Sequence, residues 1–177
     1  MTTAAEESLE RLKEGNRKFL LAPVNTGDIS PALRQALLAG QHPYAVILTC
    51  SDSRVVPESI FSADLGDLFV IRVAGNVVGD HTLGSIEYAS AHLGTPLTVV
   101  LGHTNCGAVD AAIHDAPHGF IKTLTDKIRA AIGSETDGYR ASCLNVENSV
   151  RKIQAALPGV DVIGAVYRLE DGSVEFL

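Results

Sequence analysis

Two cysteines and a histidine stand out because they lie at the ends of two apolar stretches typical of buried strands. Cys50 follows the stretch 45–49, and His103 and Cys106 follow the stretch 97–101. Open α/β sheets build their sites at the carboxyl ends of their strands. Thiolate and imidazole groups are ligands suited to Zn²⁺, and three protein ligands leave one coordination position open for chemistry. We therefore predict a catalytic zinc site, with one ion in each subunit.

An acidic and a basic residue follow the first cysteine closely. Asp52 and Arg54 lie two and four residues after Cys50. An arginine guanidinium can hold a carboxylate through two hydrogen bonds, which fixes its orientation and keeps it ionised. Zinc lowers the pKa of bound water to about 7, so hydroxide is available at neutral pH. A carboxylate fixed beside the ion could accept the hydroxide proton and aim the oxygen lone pair at an electrophile. We predict that Asp52 and Arg54 are catalytic.

Each of these residues also has an ordinary interpretation. A buried cysteine is usually a small core residue, and an aspartate two residues from an arginine is more often a surface ion pair. Their coincidence at two predicted strand ends favours a site. Cys143 has no ligand-like neighbour, and we interpret it as a packing residue in a helix. The remaining histidines are interpreted as structural, loop or surface residues: His42, His81, His92, His114 and His118.

The composition favours one globular domain and disfavours several kinds of partner. The chain has 177 residues and a formal net charge of -7, and a surface of that sign repels nucleic acid and anionic membranes. No apolar run approaches the roughly 20 residues that a membrane-spanning helix needs. The acidic, polar N-terminus does not resemble a signal peptide. Three widely spaced cysteines do not suggest a secreted disulfide framework. We expect a cytoplasmic protein.

Apolar runs alternate with helical patterns along the chain, which is typical of a mostly parallel sheet flanked by helices. We predict four strands at 44–49, 68–73, 97–102 and 160–169, and a turn at 170–173 into an antiparallel edge strand at 174–177. Helices are predicted at 5–20, 31–40, near 57, and at 83–93, 107–114, 120–132 and 143–156. Gly15 and Asn16 weaken the first helix, and a loop through Pro23 follows it. The domain prediction is one unit, 1–177, with an N-terminal helical arm at 1–40 and a zinc-bearing α/β core at 44–177.

Several motifs together resemble the β-class carbonic anhydrases. They are CSDSRV at 50–55, GDLFVIRVAGN at 66–76, GSIEYA at 84–89, LGHTNCGA at 101–108 and VIGAVY at 162–167. The similarity extends from about residue 8 to 115 and resumes at 145–146 and 162–174. It implies a zinc lyase that reversibly hydrates CO2 to bicarbonate and a proton.

The resemblance also implies roles for individual residues. Cys50, His103 and Cys106 correspond to the zinc ligands, and Asp52 and Arg54 to the catalytic pair that orients hydroxide. The substrate pocket of the family, partly built by a partner subunit, corresponds to Gln41, Phe69 and Tyr88, and Gly107 belongs to the metal-bearing turn. The family forms homodimers, often doubled to homotetramers, with N-terminal helices packed on the neighbouring subunit.

The family has two resting states, and one residue position bears on the choice between them. The aspartate either pairs with the arginine or binds zinc in an inactive state. Members that hold bicarbonate beside the inactive site resemble one another in a tryptophan three residues before the first cysteine. That position is Ile47 here, and the chain contains no tryptophan. We therefore predict the open state, with Asp52 held by Arg54.

Some features depart from the family pattern or leave the reaction open. The region before Asn145 is shorter than in many members, and Arg168 replaces an acidic residue. These departures affect the pocket rim and the assembly.

A carbonyl sulfide or carbon disulfide hydrolase on the same scaffold is one alternative to a carbonic anhydrase. A non-catalytic zinc-binding or redox-sensing protein, with Asp52 as a fourth ligand, is another.

Overall fold

A five-stranded sheet forms the centre of the computed structural model, which describes residues 1–22, 24 and 27–177. The strands are β1 (Ala45–Thr49), β2 (Leu68–Arg72), β3 (Thr98–His103), β4 (Val162–Tyr167) and β5 (Val174–Phe176). Their order across the sheet is β2-β1-β3-β4-β5. The first four strands run parallel, and β5 pairs antiparallel with β4. The predicted mixed α/β sheet is therefore confirmed.

Seven α-helices in the described part of the chain accompany the sheet. They are α1 (Thr3–Leu21), α2 (Pro31–Ala36), α3 (Pro57–Ile60), α4 (Asp80–His92), α5 (Gly107–His114), α6 (Ile121–Ile132) and α7 (Gly138–Ala156). Most lie close to their predicted positions, but α7 begins well before residue 143. Asp137 caps it by accepting a hydrogen bond from the Arg140 backbone N–H at 2.7 Å, a signal that apolar periodicity does not carry. The predicted loop residue Pro23 lies outside the described residues.

The two central strands separate two apolar layers. Every residue of β1 and β3 is buried, as expected for parallel strands covered on both faces. Because side chains alternate along a strand, Ile47 packs in one layer, which also contains Leu12 of α1. Val46 packs in the opposite layer with Ile86 of α4 and Val146 of α7. The sheet is thereby held rigidly between helices, which fixes its strand ends.

The middle of α1 packs closely against the core of its own chain. The helix runs unbroken through Gly15 and Asn16, although both residues have a low intrinsic preference for helix. A Cβ atom on Gly15 would lie 1.9 Å from the Phe61 carbonyl oxygen. The Asn16 amide donates to the carbonyls of Ile60 at 3.2 Å and Gly172 at 3.0 Å. Both residue types are required by close packing against the core.

Within residues 1–22, 24 and 27–177, the structure contains no helix that combines the length and apolarity needed to cross a bilayer. The two helices of the predicted N-terminal arm differ in burial. Five residues of α1 are buried, whereas none of α2 is.

Candidate metal centre

The sheet brings the three predicted ligands to one edge. β1 and β3 are parallel neighbours, and Thr49 pairs with Leu101, so Cys50 and His103 lie at the carboxyl ends of adjacent strands. Cys106 occupies the position directly before α5. The Cys50 and Cys106 sulfurs and a His103 ring nitrogen all lie within 4.8 Å of one another, and all three residues are buried. The structure therefore assembles the predicted cluster from two separate strand ends.

The hydrogen bonding of this cluster fits a bound metal ion. His103 Nδ1 lies 2.8 Å from the Thr104 carbonyl oxygen, which can only accept a hydrogen bond. In the neutral ring Nδ1 is therefore the protonated nitrogen, and Nε2 carries the lone pair that a metal ion needs. His103 Nε2 is buried and has no hydrogen-bond partner among the described residues. Such an orphaned buried nitrogen is costly unless something binds it, and a soft divalent ion such as zinc suits two thiolates and an imidazole.

Backbone amides support a thiolate at Cys50. The N–H groups of Gly75 and Asp52 point at Cys50 Sγ, at 3.3 Å and 3.4 Å. The pKa of the Cys50 thiol is lowered, because Cys106 donates to its sulfur and these further donors outweigh the effect of burial. The pKa of Cys106 is raised, because it bonds to the Cys50 thiolate and is itself buried. A bound divalent ion would hold both sulfurs as thiolates and displace their protons.

Asp52 and Arg54 form a bidentate ion pair beside the cluster. Asp52 Oδ1 accepts from Arg54 Nε at 3.0 Å and from its backbone N–H at 2.9 Å, and Oδ2 accepts from Nη2 at 2.8 Å. The Arg54 guanidinium holds the pKa of Asp52 well below its usual range. Oδ2 also lies 3.9 Å from His103 Nε2. An ionised carboxylate oxygen therefore lies next to the three candidate ligand atoms.

Sequence reasoning missed the contacts that Arg72 and Asn145 make beside the cluster. Arg72 ends β2 and donates to the carbonyls of Cys50 at 3.2 Å and Asp52 at 2.7 Å. The Asn145 amide donates at 2.8 Å to the carbonyl of Gly75, which has a left-handed backbone with φ of 69°. Both residues lie within motifs that the sequence analysis noted, but their contacts depend on strand register and helix packing.

The predicted pocket residues do not join the metal cluster within one chain. Phe69 lies three residues before Arg72 on β2, which is about 10 Å along the strand. The rings of Phe69 and Tyr88 lie 6.2 Å apart, centroid to centroid, and Tyr88 is 48% exposed. Gln41 is exposed and lies four residues before the start of β1, whereas Cys50 follows the end of that strand. A Cβ atom on Gly107 would meet none of the described atoms within 4 Å.

Comparison with known proteins settles the family. A sequence profile described as carbonic anhydrase matches residues 45–174. The chain belongs to the β-class carbonic anhydrase family. It is thus a member of a family of enzymes, and its carbonic anhydrase fold and buried Cys-His-Cys group support CO2 hydration and metal binding.

Curated carbonic anhydrases and solved structures agree with this assignment. "Carbonic anhydrase 2" of Mycobacterium tuberculosis is 38% identical, covering 91% of this chain and 87% of the relative. A carbonic anhydrase of Mycolicibacterium smegmatis is 35% identical, covering 93% and 89%. The β-carbonic anhydrase CafA of Aspergillus fumigatus superposes with a TM-score of 0.72 at 29% identity, over 83% of this chain and 81% of that one. A tetrameric β-carbonic anhydrase of Sordaria macrospora gives 0.72 at 28% identity, over 84% and 87%.

Proposed function

We propose that this protein catalyses the reversible hydration of CO2 to bicarbonate and a proton, with zinc held by Cys50, His103 and Cys106. The observation that carries this proposal is the position of the Asp52 carboxylate next to three buried ligand atoms, which lie within 4.8 Å of one another. Three protein ligands suit a catalytic site rather than a structural one. A zinc ion bound there would lower the pKa of a coordinated water to about 7.

Asp52 would orient the reacting water through one of its two oxygens. Oδ1 accepts two hydrogen bonds from Arg54, whereas Oδ2 accepts one. Oδ2, which faces His103, therefore keeps a lone pair for a proton of the reacting water. Arg54 keeps Asp52 ionised and prevents it from turning toward the three ligands. We propose this paired arrangement of Asp52 and Arg54 as the resting state of the enzyme.

The substrate pocket would be completed by a second copy of the chain. Phe69 and Tyr88 lie together but away from the cluster of their own chain, and Gly107 leaves open space beside the metal-bearing turn. Apolar side chains of the N-terminal region are exposed, including Leu21 at 87% and Leu38 at 75%. We propose a homodimer, or a homotetramer like the Sordaria macrospora relative. Sedimentation velocity should show no monomer at micromolar concentration.

The cysteines also suggest a compartment. All three cysteines are free and buried, and thiols remain available as metal ligands in a reducing environment. We place the enzyme in the cytoplasm. Fractionation of the source cells should recover it with other cytoplasmic enzymes.

Stopped-flow CO2 hydration with a pH indicator tests the proposed activity. The zinc-loaded protein should hydrate CO2 far faster than the Cys50→Ser variant, which loses one ligand. Cys143→Ser is the matched control, because Cys143 lies outside the metal cluster and its replacement should leave the rate unchanged. A zinc-loaded wild type no faster than Cys50→Ser would refute the proposal and favour a non-catalytic zinc protein.

A further inference from the structure

The β4–β5 hairpin forms several hydrogen bonds to the turn that carries two of the proposed metal ligands. The Thr104 backbone N–H donates to the Tyr167 carbonyl at 3.0 Å, and the Leu169 N–H donates to Thr104 Oγ1 at 3.0 Å. The Glu170 carboxylate then bridges two neighbouring side chains of the turn. Its Oε2 accepts from Thr104 Oγ1 at 2.9 Å, and its Oε1 accepts from Asn105 Nδ2 at 2.9 Å. Tyr167, Leu169 and Glu170 therefore form a continuous series of hydrogen bonds to the turn, and Glu170 is the last residue in the series.

Asn105 needs such support because of its backbone conformation. Its φ is 53°, in the left-handed region, which asparagine tolerates better than most residues but which remains disfavoured. The hydrogen bond from its amide to Glu170 fixes the side chain, and the adjacent bond from Thr104 fixes the preceding residue. The direction of the Asn105 carbonyl is therefore set by the hairpin.

The Asn105 carbonyl in turn contacts the catalytic arginine. Arg54 Nη2 donates to it at 3.2 Å while also donating to Asp52 Oδ2 at 2.8 Å. The Arg54 side chain is 55% exposed, so packing does little to orient its guanidinium. The orientation of the guanidinium therefore depends on its hydrogen bonds to Asp52 on one side and to the Asn105 carbonyl on the other.

We propose that Glu170 is a positioning residue for the Asp52–Arg54 pair and acts through Asn105. Glu170 touches neither the metal ligands nor the reacting atoms. It fixes Asn105, whose carbonyl fixes the plane of the Arg54 guanidinium, which holds Asp52. The role of this pair in catalysis rests on the proposed function, whereas the mechanical link from Glu170 to Arg54 does not.

The variants Glu170→Ala and Asn105→Gly each remove the Glu170–Asn105 hydrogen bond. Glycine tolerates the left-handed backbone, so Asn105→Gly introduces no strain. At saturating buffer, kcat should fall about tenfold in each variant, because small misplacements of catalytic groups are costly, while KM and zinc content stay within twofold. The double variant should be no slower than the slower single variant, because both substitutions remove the same Glu170–Asn105 hydrogen bond.

Two further variants separate positioning from general damage to the hairpin. Glu170→Gln keeps one acceptor oxygen for Asn105 Nδ2 and should recover most of the lost kcat. Glu175→Ala is the matched control on the same hairpin, because Glu175 bonds instead to Tyr139 at 2.6 Å and Arg168 at 3.0 Å. It should leave kcat unchanged. Additive losses in the double variant, or an equal loss in Glu175→Ala, would overturn the proposal.

A measurement independent of activity tests the link to Arg54 directly. The Arg54 Nε–H resonance, assigned by its disappearance in Arg54→Lys, should exchange with solvent several-fold faster in Glu170→Ala than in wild type. Unchanged exchange would overturn the proposal even if kcat fell. Loss of zinc from Glu170→Ala would assign the hairpin contacts to the metal ligands and overturn it as well. If the wild type does not hydrate CO2, the proposed function fails, while the exchange rate still decides whether Glu170 positions Arg54.

Discussion

Asp52 divides its hydrogen-bonding capacity unequally between its two oxygens. Oδ1 accepts hydrogen bonds from the Arg54 backbone N–H and from Nε, whereas Oδ2 accepts one from Nη2 alone. The spare lone pair of Oδ2 lies on the side of His103. In the proposed mechanism Asp52 would serve as an oriented acceptor, a role that a residue of the same shape but without two acceptor oxygens could not fill.

The Asp52→Asn variant should keep its zinc but lose most of its activity. Asparagine preserves the size of the side chain, but an amide nitrogen replaces one acceptor oxygen and the charge is lost. We expect kcat/KM to fall about 100-fold or more, the usual contribution of a positioned proton acceptor. Stopped-flow kinetics and zinc analysis of the same sample would measure both effects. Asp110→Asn is a suitable control, since Asp110 is 73% exposed and should be dispensable; full activity in Asp52→Asn would contradict the assigned role.

At the scale of elements, α1 shows how tertiary contact reverses a local preference. Replacing a helical glycine with alanine usually stabilises a helix by about 1 kcal/mol. In α1, however, Gly15 faces the backbone of Phe61, where a Cβ atom would lie 1.9 Å from the carbonyl oxygen. Backbone cannot move aside as a flexible side chain can, so packing dominates over propensity.

Gly15→Ala should therefore destabilise the protein. We expect the free energy of unfolding to fall by about 1–3 kcal/mol, the usual cost of overpacking, as α1 is pushed away from the core. Urea denaturation followed by circular dichroism would measure it. Glu7→Ala is the matched control in the same helix, because Glu7 is exposed and its replacement should change stability by no more than about 0.5 kcal/mol. A stabilised Gly15→Ala variant would show that α1 does not pack as described.

A second prediction at this scale concerns pH and the contact between α7 and β5. The pKa of Glu175 is held below its usual range, because the Tyr139 hydroxyl and the Arg168 guanidinium donate to its carboxylate. A carboxylate whose pKa is lower in the folded state stabilises the fold above its unfolded pKa of about 4.3. That contribution is lost as pH falls through the lower folded pKa.

Glu175→Gln should therefore be less stable than wild type at pH 7, and the difference should shrink as the pH falls below the unfolded pKa of about 4.3. Urea unfolding of zinc-free protein at several pH values would measure it, so that release of metal does not contribute. A stability difference that stays constant with pH would show that the ion pair does not form in solution.

At the scale of the whole molecule, the metal cluster joins parts of the chain that are distant in sequence. Cys50 follows β1, His103 ends β3, and Cys106 lies directly before α5. A metal ion that binds only the folded chain stabilises it by about 4 kcal/mol at a concentration 1,000 times its dissociation constant. In a chain of this length, that corresponds to a rise in melting temperature of roughly 10 °C.

Removal of zinc with a chelator should lower the melting temperature by about that amount, and added zinc should restore it. Differential scanning calorimetry would measure both transitions. His103→Ala should abolish the response, because the buried Nε2 ligand is gone. Cys143→Ser should preserve it. A melting temperature that zinc leaves unchanged in wild type would contradict metal binding at this cluster.

Much of the fold and the site could be predicted from local sequence. The alternation of apolar strands and helical patterns predicted the mixed sheet, because side-chain periodicity follows directly from backbone geometry. Cys50, His103 and Cys106 could be predicted because each lies at the end of an apolar run. Arg72, Asn145 and Glu170 could not, since each reaches its partner only through strand register, helix packing or the hairpin.

The sequence by itself therefore determined the fold class, the family and the ligand types, because these depend on residue identity and short-range spacing. Only the tertiary structure decided how the site is held. It placed three ligand atoms within 4.8 Å of one another and turned Asp52 toward Arg54. It also connected Arg54 through Asn105 to Glu170. The physical reason is that hydrogen bonds act over about 3 Å, and such distances between remote residues are set only when the sheet and its loops have packed.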